Sequence, residues 1–125
     1  MRKLILLLLI PVYTFSQVTS SPTTIEINQS VTITIDLLSN ASDCNGLSSP
    51  SKVYLHSGVG NETSPWGTSV VGNWGQDDGV GEMTNNGGGI WSITFIPQTY
   101  FGLSAQQASE VTRIGMVFRS ADGTQ

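Results

Sequence analysis

The chain has 125 residues, a formal net charge of −4 and a single cysteine, Cys44. This length fits one small domain, and one cysteine cannot form an intrachain disulfide, so the domain must be stabilised by an apolar core. Downstream of residue 16 only Lys52, Arg113 and Arg119 are basic. Nucleic acids and anionic membrane surfaces are therefore excluded as partners, because both require clustered positive charge.

The N-terminal segment has the pattern of a secretory signal peptide. A basic start precedes the apolar run Leu4–Ile10, which is too short to span a bilayer as a mature helix. Thr14 and Ser16 supply small residues for a cleavage site, and the absence of a cysteine at that junction argues against a lipid anchor. We expect residues 1–16 to be removed and residues 17–125 to pass through the periplasm, without membrane insertion, and become secreted or displayed at the cell surface.

Alternating apolar and polar residues predict the first strands of a sheet. Val31–Leu37 alternates with period two, which indicates a strand with one buried and one wet face. Thr23–Ile27 is predicted to be its partner strand, and Lys52–Ser57 to be the third strand after a polar loop. Tyr54 and His56 share one face of that third strand, opposite its aliphatic residues. One of these two faces belongs to the core, and the other can reach solvent or a ligand.

The second half of the chain adds further strand patterns. Ser69–Trp74 and Glu82–Thr84 are predicted as short strands, and Ile90–Ile96 is predicted as a longer strand that places Trp91 in the core. Helical turns are expected between residues 97 and 110, followed by a last strand with alternating apolar residues. Several short strands without a long helix indicate an all-β sandwich.

The last residues have the pattern of a tight turn. Ala121-Asp122-Gly123 is typical of a hairpin, which predicts a returning strand after it. We therefore interpret residues 17–125 as a sandwich domain that lacks its last strand, within an N-terminal fragment of a longer protein. The alternative is a domain that stops there with an unpaired edge. Arg119 and Asp122 flank the turn, and we expect them to form an ion pair.

A glycine-rich loop near the middle of the chain combines an aromatic side chain with polar groups. Trp74 offers a flat apolar face, and Asn73, Asp77 and Asp78 offer hydrogen-bonding groups. A sugar ring matches this combination, because its C–H face packs on an indole while its hydroxyls need fixed donors and acceptors. An ordinary sandwich loop with one core tryptophan would also account for these residues.

Several motifs are similar in order and spacing to those of a known family. They are Lys52–Val59, Trp66, Val70–Gly75 with Asp77-Asp78, Met83-Thr84, Tyr100-Phe101-Gly102 and Met116–Gly123. From about Ile25 onward the chain resembles the immunoglobulin-like modules of secreted α-amylase-family glycoside hydrolases and related polysaccharide-utilisation proteins of Gram-negative bacteria. The resemblance implies an immunoglobulin-like antiparallel β-sandwich that binds starch-type polysaccharide beside a covalently attached downstream domain. The family pattern continues beyond the Asp-Gly turn with another strand.

The loop and the resemblance together define the candidate site. The predicted carbohydrate-binding residues are Trp66, Trp74, Asn73, Asp77, Asp78, Tyr54 and His56. The two indoles would form a platform for an α-glucan such as starch or glycogen, and the amide and carboxylates would bond its hydroxyls. Tyr54 and His56 would contribute only if their face of the strand is open. No cofactor is predicted, and a solvated acidic turn is favoured over calcium, because the spacing from Asp77 to Glu82 matches no calcium loop.

A catalytic role and a purely structural role are the alternatives. The adjacent Asp77 and Asp78 point to opposite sides of an extended segment and cannot flank one glycosidic bond, although spacing leaves Asp78 with Glu82 open. One histidine and the acid-flanked Cys44 do not assemble an activated nucleophile, so a non-catalytic module is favoured. The second hypothesis is a structural spacer or adhesion module of an exported surface protein. Exposed, coplanar tryptophans would favour sugar binding, and buried tryptophans the structural role.

Overall fold

β-branched and aromatic residues in period-two alternation form the strands of this chain. The computed structural model describes residues 17–38 and 46–125, and the predicted signal peptide and Cys44 lie outside the described residues. The strands are β1 (Val18–Ser21), β2 (Val31–Asp36), β3 (Val53–Gly60), β4 (Ser69–Val71), β5 (Thr84–Asn85), β6 (Ile90–Phe95) and β7 (Arg113–Ser120). Two short helices, α1 (Pro97–Tyr100) and α2 (Ala105–Glu110), lie between β6 and β7. No helix in the described ranges is long and apolar enough to cross a membrane.

The strands form two antiparallel sheets that pack face to face. One sheet has the order β1-β2-β6-β5, and the other has the order β4-β3-β7. This is the strand order of an immunoglobulin fold, A-B-E-D in one sheet and C′-C-F in the other. The predicted all-β, immunoglobulin-like sandwich is therefore confirmed. In the part of the chain that the structure describes, no strand pairs with β7 on the side where strand G lies in that fold.

The core lies between the sheets and consists of alternate residues of the central strands. Ile33 and Ile35 on β2 and Val53 and Leu55 on β3 are at most 1% exposed. Trp91 on β6, a predicted core residue, is confirmed as buried in the same cluster. Burial of a large aliphatic side chain contributes roughly 1.5–3 kcal/mol. The apolar cluster is thus the main source of stability for a domain that has no disulfide.

Some predicted strands differ from the observed ones. The predicted strand Thr23–Ile27 is wrong, because β1 pairs with β2 instead and the isoleucines of that segment pack against the core outside the sheet. β4 ends early, at Val71, because Gly72 leaves the extended conformation with a φ of 121°. β3 continues past its predicted end at Ser57 as far as Gly60, and within this extension the missing side chain of Gly58 leaves room for the Trp66 ring.

The helical turns predicted between residues 97 and 110 are confirmed as α1 and α2. Ser104 begins α2 with a capping box: its hydroxyl accepts from the Gln107 backbone N–H, and the Gln107 side chain accepts from the Ser104 backbone N–H. The connection between the two helices adds Phe101 and Leu103 to the core.

Candidate functional site

The outer face of the β4-β3-β7 sheet carries three neighbouring aromatic rings. On β3, residues that alternate with the core positions point outward, among them His56 and Gly58. The register with β7 places Val117 beside His56 and Gly115 beside Gly58 on that same face. We call the three rings the aromatic strip, which consists of Trp66, His56 and Trp74.

Trp66 lies flat on two strand glycines. A Cβ atom added to Gly58 would stand 2.8 Å from its Cδ2 atom, and one added to Gly115 would stand 2.6 Å from its Cε2 atom. Both distances are too short for real carbon contacts, so the indole occupies the space that side chains would take on the two strands. Trp66 is half-buried. Because one face of its indole lies on the glycines, the opposite face is the one turned away from the sheet.

His56 joins the two tryptophans of the aromatic strip. Its ring centroid is 5.7 Å from that of Trp66, with 24° between the planes, and 5.6 Å from that of Trp74, with 88° between the planes. The two indole planes therefore differ by at least 64°. Trp74 is 54% exposed. The tryptophans are thus accessible and neither is a core residue, but they form a corner instead of the coplanar platform that sugar binding was expected to show.

Aliphatic side chains extend the apolar surface beside the aromatic strip. Val70 on β4 is 49% exposed and Val117 on β7 is 39% exposed, and each lies midway along a strand that flanks the central strand β3. The register aligns Val70 with Gly58 on one side of the strip, and Val117 with His56 on the other. Contiguous exposed apolar surface of this kind marks interaction sites on soluble domains.

Asn73 and Asp78 form a polar margin next to Trp74. The Asn73 Nδ2 atom donates to Asp78 Oδ2 at 2.7 Å, and the Val80 backbone N–H donates to Asp78 Oδ1 at 3.0 Å. The hydrogen bond from Asn73, followed by that from Val80, lowers the pKa of the Asp78 carboxyl. Asp78 is therefore an exposed carboxylate at neutral pH, and each of its oxygens has a further lone pair for a ligand hydroxyl.

Asp77 is tied to the sheet beneath the loop. Lys52 Nζ lies 2.8 Å from Asp77 Oδ1, and the Tyr54 hydroxyl donates to the same oxygen. The hydrogen bond from Lys52, followed by that from Tyr54, lowers the pKa of Asp77, and the bond to Asp77 in turn raises the pKa of Tyr54. The Asp77 side chain is still half exposed, at 50%. It is both an anchor for the loop and a candidate hydroxyl partner.

Tyr54 does not reach the surface. Its side chain is fully buried, its hydroxyl lies between Asp77 and Glu82, and the Arg119 guanidinium covers its ring at 4.5 Å from the centroid. The face of β3 is thus partly open at His56, which is half-buried, and closed at Tyr54, because the loop that carries Trp74 folds over that end of the strand. Of the two secondary candidates, only His56 lies among the accessible rings.

The expected ion pair between Arg119 and Asp122 is wrong. Arg119 is fully buried and donates to the backbone carbonyls of Asn73, Gln76, Ser120 and Ala121. Asp122 instead accepts hydrogen bonds from the Ser120 hydroxyl at 2.7 Å and from Thr124. These bonds lower the pKa of Asp122 to about 2. The two residues do not pair because the Arg119 side chain lies beneath the loop that carries Trp74, whereas the Asp122 side chain bonds within its own turn.

Asp78 stands apart from the other two carboxylates near the strip, Asp77 and Glu82, which share Tyr54 and Lys52 as partners. Within residues 17–38 and 46–125, no group of three or more His, Cys, Asp or Glu side chains could hold a metal ion. Asp78 bonds to Asn73, whereas Glu82 accepts from Tyr54 at 3.1 Å and lies 3.7 Å from Lys52. What the site offers chemically is an apolar stacking surface with a polar margin.

Comparison with known proteins assigns no relatives. No family model matches the chain, and no curated protein shows significant sequence similarity to it. The geometry of the aromatic strip and the motif resemblance described above are therefore the features that bear on function.

Two parts of the site were missed by sequence reasoning. Gly58 and Gly115 carried a usable signal, because an isolated glycine inside a strand pattern marks the close approach of another group. Arg119 carried none, because its acceptors are main-chain carbonyls that every sequence supplies.

Proposed function

We propose that this protein is a non-catalytic carbohydrate-binding module whose ligand is an α-glucan such as starch or glycogen. The observation that carries the proposal is the aromatic strip, in which Trp66 lies on paired glycines with one face outward and Trp74 is 54% exposed. An exposed Trp74 and a half-buried Trp66 on an outer sheet face give up apolar burial that a core would provide, and a role in binding accounts for this.

Sugars fit the chemistry of this surface better than a purely apolar ligand does. The indole faces match the C–H face of a pyranose, and stacking of this type contributes on the order of 1 kcal/mol beyond area burial. Asn73 and Asp78 at the margin supply a donor and charged acceptors for hydroxyls, each bond adding a similar small amount. Binding by one site of this kind is weak.

The angle between the indoles favours a curved chain over a flat one. Because their planes differ by at least 64°, they cannot both stack on the near-coplanar rings of an extended β-linked glucan. In an α-linked glucan, successive rings turn and the chain coils, so two sugars of one chain can each meet one indole face. The non-coplanar arrangement thus supports α-glucan as the ligand class.

A module that binds this weakly is effective when it is covalently attached to another domain. In our proposal residues 1–16 direct export, and the module holds a covalently linked downstream domain, such as a glycoside hydrolase, close to its polymer. Linkage turns weak sites into useful ones because the second contact becomes intramolecular at a high effective concentration.

One observation favours the second candidate, a structural spacer or adhesion module of an exported surface protein. The polar side chains near Trp74 already have partners within the chain: Asn73 bonds to Asp78, and Asp77 bonds to Lys52 and Tyr54. In that case the loop would simply close one edge of the sheet.

Affinity electrophoresis separates the two candidates. The secreted form would be run in native gels that contain soluble starch, glycogen, xylan or no polymer, beside Trp66→Ala and Trp74→Ala. Leu38→Ala serves as the matched control, because Leu38 is another exposed apolar residue, at 72%, outside the strip. Retardation by the α-glucans alone, reduced in either tryptophan variant and retained in full in the control, is expected. Unchanged mobility in every gel would refute glycan binding, and retardation by xylan alone would refute the α-glucan assignment.

A further inference from the structure

Arg119 is a buried cation whose partners are main-chain carbonyls. Its Nη1 atom donates to Ser120 O at 2.9 Å and to Ala121 O at 3.0 Å. Its Nη2 atom donates to Asn73 O at 2.8 Å and to Gln76 O at 3.0 Å. One nitrogen therefore bonds to the end of β7 and the turn that follows it, and the other bonds to the loop that carries Trp74.

The turn after β7 and the loop that carries Trp74 together hold the indole of Trp74 in place. A Cβ atom added to Gly123 would stand 2.9 Å from Trp74 Nε1 and 3.1 Å from the Gly75 Cα atom. The edge of the indole thus packs on the turn, while its backbone belongs to the loop. The orientation of Trp74 depends on how these two segments are held relative to each other, and both are bonded to one guanidinium.

The planar shape of arginine suits this task. Two terminal nitrogens in a rigid fork can satisfy four carbonyls in two directions, whereas lysine offers a single nitrogen on a flexible stem. The Tyr54 ring, packed against the guanidinium at 4.5 Å, adds a cation–π contact and fixes its plane. Four carbonyls also offset the cost of burying a charge that has no carboxylate bonded to it.

We propose that Arg119 is the positioning residue of the glycan site: it clamps the Trp74 loop to the turn after β7 and so fixes the corner between the two indoles. This inference rests on the proposed function. Arg119 does not touch the ligand and acts only through Trp74. Without the clamp, the Trp74 loop must be ordered when the glycan binds, and immobilising one side chain weakens binding by about 2- to 10-fold.

The first test is a double-mutant cycle between Arg119→Lys and Trp74→Ala, with starch retardation as the measure of affinity. Arg113→Lys is the matched control, because Arg113 lies on the same strand and face but is exposed and bonded to Glu62. Arg119→Lys is expected to weaken binding about 2- to 10-fold, and to have no further effect in the Trp74→Ala background. Equal losses in both backgrounds would overturn the proposal, because Arg119 would then act on the whole fold.

The second test measures the effect of Arg119 on the environment of Trp74 in the absence of glycan. Indole N–H signals in a 1H–15N spectrum report Trp66, Trp74 and Trp91 separately. Arg119→Lys, or Arg119→Gln if the lysine variant does not fold, is expected to shift or broaden the Trp74 signal and leave that of the core residue Trp91 in place. An unchanged Trp74 signal in a folded variant would refute the clamp. If the wild-type protein binds no glycan, the proposed function fails, yet this spectrum still decides whether Arg119 holds the loop.

Discussion

The indole of Trp66 lies against the backbone of Gly115, at the point where β7 aligns with Gly58 of β3. Two glycines in register on adjacent strands leave a flat area with no side chains, and the ring fills it. The position of the aromatic strip thus depends on residues that have no side chain of their own.

Gly115→Ala tests this dependence without removing an aromatic residue. The added Cβ would stand 2.6 Å from Trp66 Cε2, so the ring must lift or tilt. We expect starch binding to weaken by about 1 kcal/mol, the scale of one lost stacking contact, and the free energy of unfolding to fall by about 1–3 kcal/mol through overpacking. Polymer-gel retardation and urea denaturation measure the two effects.

Gly46→Ala is the control for that substitution. A Cβ atom at Gly46 would have its nearest neighbour at 4.0 Å, and this glycine lies outside the sheet. The mobility of the Gly46→Ala variant in starch gels should equal that of the wild-type protein. A Gly115→Ala variant that binds as well as Gly46→Ala would show that Trp66 is not part of the binding surface.

The core prediction concerns Ile35, which is fully buried on β2. Ile35→Ala is expected to lower the free energy of unfolding by about 2–5 kcal/mol, because it removes buried methylene groups and leaves a cavity. Leu38→Ala removes a similar volume from a side chain that is 72% exposed, and it should change stability by less than about 0.5 kcal/mol. Urea midpoints of the two variants are the measurement, and similar midpoints would contradict the described core.

Ser104 gives a prediction for the short helix α2. Its hydroxyl accepts from the Gln107 backbone N–H at 3.1 Å and completes the capping box. Ser104→Ala should lower the free energy of unfolding by about 1 kcal/mol, because that amide loses its partner. Ser109→Ala is a suitable control inside the same helix. Equal stability of the two variants in urea would mean that the cap contributes nothing.

Asp122 makes the free energy of unfolding depend on pH in the acidic range. Its pKa is lowered from 3.8 to about 2 in the folded protein, first by the bond from Ser120 and then by those from Thr124. Because the folded value lies below the unfolded one, the stabilisation is complete above about pH 5 and is lost as pH falls toward about pH 1. Asp77 and Asp78, whose pKa values are also lowered, act in the same direction.

Asp122→Asn tests this assignment. The amide can still accept a hydrogen bond but no longer titrates, so the variant should lose less stability than the wild type between about pH 5 and pH 2. Thermal midpoints across that range are the measurement. Parallel midpoint curves for the two proteins would show that Asp122 does not contribute to the acid transition.

Period-two alternation was sufficient to predict the sandwich and several of its strands. Val31–Leu37 and Ile90–Ile96 could be recognised because each has one apolar and one polar face. Thr23–Ile27 shares that pattern but lies outside the sheet, because an earlier segment already pairs with β2. Pairing of this kind is a tertiary choice among competing segments, and local pattern does not reveal which one is selected.

The candidate site was predictable in its residues but not in its arrangement. Trp66 and Trp74 stood out as aromatic residues in polar, glycine-rich segments, yet no spacing in the sequence shows that their planes differ by at least 64°. Tyr54 and His56 looked equivalent, two residues apart on one strand face. The loop that covers Tyr54 and leaves His56 open comes from a distant part of the chain, so only the tertiary structure distinguishes them.

Strand β7 holds Gly115, beneath Trp66, and Arg119, beneath the Trp74 loop, four residues apart on its outer face. At about 3.3 Å per residue, Gly115 and Arg119 lie about 13 Å apart along the strand, and this distance separates the supports of the two indoles. A one-residue insertion or deletion between them would turn one support inward. Variants of β7 that are longer or shorter by one residue between these positions should therefore lose the site, whereas the turn between β3 and Trp66 has no such parity to preserve.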